Sequence, residues 1–205
     1  MKTALTYLQP DISVVLVAQD KSKNLFKIID SLLNQTFKSW ELIIVDNGSK
    51  DNAFQFVNPF MEKHENIRYL KHKTRSFVSA LNIGIQSSLG RHVTFVGIDD
   101  HFLSVHLQNL YEFSNLQHDN FLYHGGFEVI GDTKIRNILK PTEKISIFEA
   151  PLIHTFFAPR EVFFEFGGFK EFGAGSEVDF LERISKKVKV FKVEEPKTYI
   201  HVNII

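Results

Sequence analysis

The chain has 205 residues, 43% of them hydrophobic and 23% charged, enough for one large domain or two small ones around a filled core. Lys plus Arg and Asp plus Glu number 24 each, so the formal net charge is zero, which argues against general nucleic-acid binding because that needs a basic field. With no Cys, disulfides, thiolate nucleophiles and Cys-based metal sites are excluded, and the composition fits a cytoplasmic protein.

Met1 to Pro10 lacks the continuous apolar stretch of a signal peptide, and no run approaches the roughly 18 apolar residues of a membrane span. Any membrane contact is therefore expected to be peripheral, at the inner face. Ile12 to Val17 is a β-branched run that predicts a buried strand, followed by the polar loop Ala18 to Ser22. Leu25, Ile28, Ile29, Leu32 and Leu33 recur at helical spacing, which predicts an amphipathic helix from about Asn24 to Gln35. Trp40 to Val45 is a second strand, ending on the turn-forming stretch Asp46 to Asp51. A helix over Asn52 to Lys63, a strand over Ile67 to Leu70 and a helix over Ser76 to Ser88 follow, the last closed by Gly90. Val93 to Val96 is a fourth strand, ending on Gly97, Asp99 and Asp100.

Strands separated by single helices imply βαβ units and a parallel sheet. The loops Ala18–Ser22, Asp46–Asp51 and Gly97–His101 then converge on one edge, where open α/β sheets bind ligands. Two adjacent carboxylates there attract a hard divalent cation, and the cation a phosphate. The competing reading of Asp99 and Asp100 is a turn that caps the next helix.

The second half is less regular. The spacing of Leu103, Leu107, Leu110 and Phe113 predicts a helix over Phe102 to Leu116. Phe121 to Ile130 and Thr133 to Ile138 suggest strands of a hairpin or antiparallel extension turning at Gly131-Asp132, with a bulge at Gly125-Gly126. Leu152 to Ala158 is a strand candidate. Arg160 to Phe166 is a short helix stopped by Gly167-Gly168, and Ser176 to Lys186 a helix with Ser as N-cap. Val188 to Val193 and Lys197 to Val202 are final strands. Phe is abundant, at 21 residues, and many follow Phe95. Phe156, Phe157, Phe163 and Phe172 could line a core or a pocket, and core is the more common place for such residues.

Taken together, the motifs resemble the inverting family 2 glycosyltransferases. Ser31-Leu32-Leu33-Asn34-Gln35-Thr36-Phe37 is close to that family's S-V-L-N-Q-T-Y. Glu41 to Ser49 is similar to E-I-I-V-V-D-D-G-S. Arg75, Asn82, Gly84, Ile85 and Gly90 fall at the spacing of R-x-x-G-x-x-x-A-x-N-x-G-I-x-x-A-x-G. Phe95 to Asp100 matches F-L-D-x-D-D, Gly167-Gly168-Phe169 matches G-G-F-D-E, and Asp179 to Arg183 resembles the D-L-x-x-R after the catalytic E-D. The resemblance spans nearly the whole chain. It implies a single GT-A-type α/β domain over 1–205, with a Rossmann-like, mostly parallel sheet flanked by helices. Residues 1–100 would form the nucleotide-sugar half, and 101–205 a smaller mixed or antiparallel acceptor half.

The resemblance also implies a metal-assisted transfer of a sugar from a nucleotide-sugar (UDP, GDP or dTDP) to a glycan or lipid-linked acceptor. Ala18, Asp20, Asp46, Arg75 and Asp99 fall at donor-binding positions. Asp99, Asp100 and His201 are candidate ligands for Mn²⁺ or Mg²⁺, and Glu177 is the candidate general base. Each has a plainer alternative. Asp46 suits a turn, Arg75 a surface ion pair, Glu177 a helix N-terminus, and His201 an ordinary strand position. Three positions depart from the pattern: Gly97 replaces the first Asp of D-x-D, Val17-Ala18-Gln19-Asp20 replaces P-T-Y-N, and Ser176-Glu177 replaces E-D. These departures leave open a second expectation, a catalytically weak or inactive sugar- or nucleotide-binding module. No Q-x-x-R-W motif is present, so non-processive transfer is expected over polymerisation.

Overall fold

The β-branched runs of the first half lie side by side as parallel strands: β1 (Ile12–Ala18), β2 (Trp40–Asn47), β3 (Ile67–His72) and β4 (His92–Val96). The computed structural model describes residues 9–118, 120–137, 140, 142–171 and 175–204. Met1 to Leu8, Ile138 at the end of an expected strand, and Phe172 lie outside the described residues. Helices α1 (Leu25–Leu33), α2 (Ala53–Met61) and α3 (Phe77–Ser87) connect the strands in the order expected of βαβ units.

The second half adds β5 (His101–Phe102), α4 (His106–Asn115), β6 (Phe121–Gly125), β7 (Phe127–Gly131), β8 (Lys134–Arg136) and β9 (Lys144–Ser146). It continues through β10 (Phe157–Pro159), α5 (Arg160–Glu165), α6 (Ser176–Ile184), β11 (Lys189–Val193) and β12 (Tyr199–Asn203). The main sheet has the order β11-β6-β10-β4-β1-β2-β3, with β10 antiparallel to both neighbours. A smaller sheet runs β5-β12-β7, and β8 pairs with β9.

Both faces of the main sheet are covered. Val14 and Leu16 of β1 join Leu42 and Ile44 of β2 against α1, whereas Val15, Val17, Ile43 and Val45 point to α3. Alternation along a strand sends successive side chains to opposite faces, so apolar residues at every position mean burial on both. The α3 face carries an aromatic core: Phe95, Phe156, Phe163, Phe169 and Phe180 pack ring against ring, with Phe163 and Phe180 stacked at 5.4 Å. Phe156, Phe157 and Phe163 are thus core residues.

Three expectations for the second half are corrected. The expected helix at Phe102 starts only at His106, because His101 and Phe102 pair with Ile200 and Tyr199 of β12. The expected hairpin does not form. Gly125 and Gly126, with φ of 105° and 63°, turn the chain out of the main sheet, and β7 continues beside β12 while β8 pairs with β9. The stretch expected as a strand from Leu152 instead makes a 3-10 turn at Ile153–Thr155, and only Phe157–Pro159 joins the sheet. All three depend on pairings distant in sequence, which local periodicity does not register.

Candidate active site

Strand order reverses direction around β1, with β4 on one side and β2 on the other, so a crevice opens beyond the ends of β1 and β4. A cleft of about 220 Å³ occupies it, lined by Val17, Gln19, Lys21, Asp99, Asp100 and His201 among others. A second cleft of about 270 Å³ is lined by Ser76, Glu171, Ser176 and Glu177, and Phe77 lines both.

Asp100 is buried at 2% exposure, and β12 supplies most of what surrounds it. The Tyr199 hydroxyl donates to Asp100 Oδ2 at 2.5 Å, and the Val202 N–H donates to Oδ1 at 2.8 Å. His201 Nδ1 lies 3.1 Å from Oδ1. His154, on the 3-10 turn, places Nδ1 3.9 Å from Oδ2, beyond hydrogen-bond reach. Burial would push the Asp100 carboxyl up, but the His201 hydrogen bond, the fields of both histidines and the Tyr199 hydrogen bond hold it below its ordinary value. Burial pushes the His154 imidazole down, against the pull of Asp100, which favours the neutral, coordinating form. Asp100, His154 and His201 offer ligand atoms all within 4.8 Å of one another. A carboxylate with two imidazoles in that compass fits a divalent cation.

Gly97 is part of the same arrangement. Its N–H donates to the Tyr199 oxygen at 3.0 Å. A Cβ on Gly97 would meet Asp100 Oδ2 at 2.3 Å and His154 Nδ1 at 3.3 Å. The carboxylate of Asp100 therefore fills the space that any side chain at 97 would need.

Asp99 lines the same cleft but meets other partners. Lys21 Nζ pairs with its Oδ2 at 2.6 Å, and the Asn24 amide donates to Oδ1 at 2.8 Å. Both oxygens are engaged from the loop that follows β1, and the adjacent carboxylates serve different neighbours.

The remaining expected residues sit on the same edge but outside the two clefts. Ala18 is buried at the end of β1, in register with Asp46 of β2. Asp46 accepts from the Tyr69 hydroxyl at 2.5 Å and from the Ser49 N–H at 2.8 Å, so its carboxylate braces the 46–51 loop. Asp20 accepts from the Lys50 N–H at 2.6 Å and pairs with Arg75 Nη2 at 2.5 Å. The Lys50 N–H and Arg75 hold the Asp20 carboxyl below its ordinary value. Arg75 also donates to the Gly48 carbonyl at 2.6 Å, tying the loops after β1 and β2 together. Asp20 and Arg75, with φ of 54° and 55°, adopt left-handed backbone that non-glycine residues rarely take.

Glu177 lies in the first turn of α6, and burial raises its carboxyl above the usual range. Beside it the Ser176 hydroxyl is 2% exposed and has no hydrogen-bond partner among the described residues. Asp179, four residues before Arg183, pairs with it at 2.7 Å, and Arg183 also donates to the Gly168 carbonyl at 2.7 Å. The D-L-x-x-R stretch thus fastens α6 to the turn after α5.

Sequence reasoning missed Lys21, His154 and Tyr199. Lys21 carried a signal, being the cation of a strand-end loop. His154 carried none, because the turn that presents it reads as an apolar strand.

Residues 13–170 match the family model described as Glycosyl transferase family 2. An uncharacterized glycosyltransferase of Rickettsia felis is 27% identical over 175 residues, covering 79% of this chain and 29% of that protein. Glycosyltransferase GlyA of Streptococcus pneumoniae is 26% identical over 152 residues, 67% of this chain and 21% of its own length. The chain thus spans under a third of these relatives. Among solved structures, S. aureus TarS 1-349 superposes with a TM-score of 0.76 at 17% identity, covering 94% of this chain and 60% of that one. It has also been solved with UDP and with UDP-GlcNAc. Mannosyltransferase PcManGT from Pyrobaculum calidifontis, solved with GDP-Man and Mn²⁺, gives 0.72 at 14% identity, covering 96% and 57%. The fold is therefore the α/β type of these neighbours. Among the described residues, no helix is long and apolar enough to cross a membrane.

Proposed function

The chain belongs to glycosyl transferase family 2, and on that premise we propose that it transfers a sugar, with inversion, from a nucleotide-sugar to an acceptor hydroxyl. One observation carries the reading: the Asp100–His154–His201 cluster opens on a cleft at the strand switch point, and Phe77 joins that cleft to the one lined by Glu177. Two clefts with one wall suit a donor and an acceptor.

In the proposed reaction the acceptor oxygen bonds to the anomeric carbon as the bond from that carbon to the diphosphate oxygen breaks. The electron pair leaves with the nucleoside diphosphate, and the acceptor proton passes to a carboxylate oxygen of Glu177. Burial makes Glu177 a stronger base than a solvated carboxylate. A divalent cation bound to Asp100, His201 and His154 would neutralise charge on the leaving diphosphate. Lys21 adds a protein cation on the same cleft, and Asp99 orients it.

We assign the nucleoside to the edge of Ala18, Asp20, Asp46 and Arg75. There the Asp20–Arg75 pair must open for the guanidinium to meet donor phosphates, and Asp46 must exchange Tyr69 for a base edge. The donor is a UDP-, GDP- or dTDP-sugar, and the acceptor a polysaccharide or lipid-linked glycan, extended without processivity. These pairings also support the second reading, a nucleotide-sugar-binding module with weak or no turnover.

Thermal-shift screening with UDP, GDP and dTDP, each with and without Mn²⁺, tests the proposal. An Mn²⁺-dependent rise for one nucleotide is expected. No shift with any nucleotide overturns it. Turnover of the matching nucleotide-sugar then separates enzyme from module.

A further inference from the structure

The two clefts differ in charge. Lys21 and two imidazoles line the first, beside Asp99 and Asp100. The charged groups lining the second are Glu171 and Glu177, with no Lys or Arg among the described residues. Nearby guanidinium groups are engaged elsewhere: Arg75, next to Ser76, pairs with Asp20 and donates to the Gly48 carbonyl, and Arg183 pairs with Asp179. The amino-terminal end of α6 would attract an anion, but Glu177 and Asp179 already occupy its first turn. A phosphate or carboxylate entering the second cleft would therefore meet acids and no partner.

The walls suit an uncharged sugar ring instead. Phe77 is 42% exposed, and Val78 and Ile153 flank the same cleft, so an apolar surface faces the C–H side of a pyranose. The polar groups suit its hydroxyls, since carboxylates accept from O–H donors. The Ser76 hydroxyl accepts from the Ser79 N–H and donates to Glu171, which fixes that carboxylate at the start of α3. Ser176 is 2% exposed and its hydroxyl has no hydrogen-bond partner among the described residues, although the residue lines the cleft. An unmet buried hydroxyl is unfavourable until a ligand supplies the partner.

We propose that the second cleft selects an acceptor whose presented ring carries no phosphate or carboxylate, with Glu171 setting the charge selection and Ser176 meeting an acceptor hydroxyl. This rests on the transferase reading, whose acceptor it narrows. Charge then sorts the two substrates: the diphosphate is drawn to the cleft with the cations and repelled from the one with the acids.

The test is an array of immobilised oligosaccharides in matched pairs, each neutral chain beside the same chain 6-phosphorylated on its terminal ring. The tagged full chain is applied with MnCl2, with and without the nucleotide that gives the thermal shift. Neutral members should retain the protein at least about tenfold better than their phosphorylated partners at low salt. Glu171 is solvent-exposed, so that ratio should shrink in about 0.5 M NaCl, where its field is screened. Glu171→Gln should cut the low-salt ratio at least about threefold and flatten its salt dependence, which loss of a merely structural contact would not do. Ser176→Ala should weaken retention on neutral members by about fivefold and leave the ratio unchanged. Circular dichroism checks the folding of both variants. Equal or better retention on phosphorylated members, or a ratio unmoved by salt and by Glu171→Gln, overturns the charge selection and leaves the transferase reading standing. Retention on no glycan overturns it too, while a nucleotide shift in the same preparation keeps the donor site. Glycan retention that follows the expected ratio without any nucleotide shift counts against the transferase reading alone.

Discussion

Two buried carboxylates at opposite ends of the same sheet are held by different kinds of partner. Glu41, at the amino-terminal edge, accepts from the Ser13 hydroxyl and the Leu89 N–H, each at 2.6 Å, and pairs with Arg68 at 2.7 Å. Its charge is balanced by a guanidinium and its oxygens are met by fixed donors, so it has nothing left to offer a ligand. Asp100, at the carboxyl edge, is as buried, but among the described residues it faces two imidazoles and no Lys or Arg. The first acid staples β1, β2 and β3, while the second ties the end of β4 to β12 at the rim of the cleft.

Breaking the staple should give the largest effect. Glu41→Ala strands the Arg68 guanidinium, which is one-third exposed, and should cost about 3 kcal/mol in urea unfolding while leaving Mn²⁺ affinity unchanged. A loss of ion binding in that variant would mean the two edges are coupled. Next, Glu177→Gln, which removes the proposed proton acceptor, should slow transfer at least about 100-fold with nucleotide binding intact. In the native chain the acid limb of kcat should lie above the ordinary Glu value of 4.5, because the proposed base must be deprotonated and burial raises the Glu177 pKa. Turnover that is equal in the variant would move the base elsewhere. Asp100→Asn should weaken Mn²⁺ by about tenfold or more, yet lower the thermal midpoint less than Glu41→Ala, because no charge is left stranded.

The last effect is nil at neutral pH and appears only on acidification. His106 is pushed down to about 3 by burial, and His124, also buried, to about 4. Folded-state values below the unfolded 6.5 mean that both are neutral in the folded chain, and the unfolded chain gains the protons first on acidification. Stability should therefore be full above about pH 6.5 and fall toward pH 4, by up to about 1.4 kcal/mol per pH unit for each histidine. His106→Gln should flatten that slope in a Tm-against-pH series, and an unchanged slope would clear His106 of the effect.

The two halves differ in how far they could be read in advance. β1, β2 and β4 are buried on both faces, so apolar composition alone marks them, and the intervening helices carry their own period. Placing Asp99 and Asp100 at the end of β4 followed from that. The hairpin expected around Gly131 failed because β7 takes its partner from β12, at the far end of the chain. The site residues divide likewise. The family resemblance singled out His201, whereas His154 sits on a turn whose neighbours Ile153 and Phe156 are apolar and mimic a strand.

The sequence by itself determined a parallel α/β layer, the edge where its polar loops meet, and the acids carried there, because hydrophobic periodicity and turn chemistry are local properties. Only the tertiary structure decided which acid does what. Asp99 and Asp100 are chemically identical neighbours, yet one meets Lys21 and Asn24 from the first loop, and the other meets Tyr199, His201 and His154 from the last third of the chain. A side chain's role follows from the field and the donors around it, and long-range strand pairing delivers those.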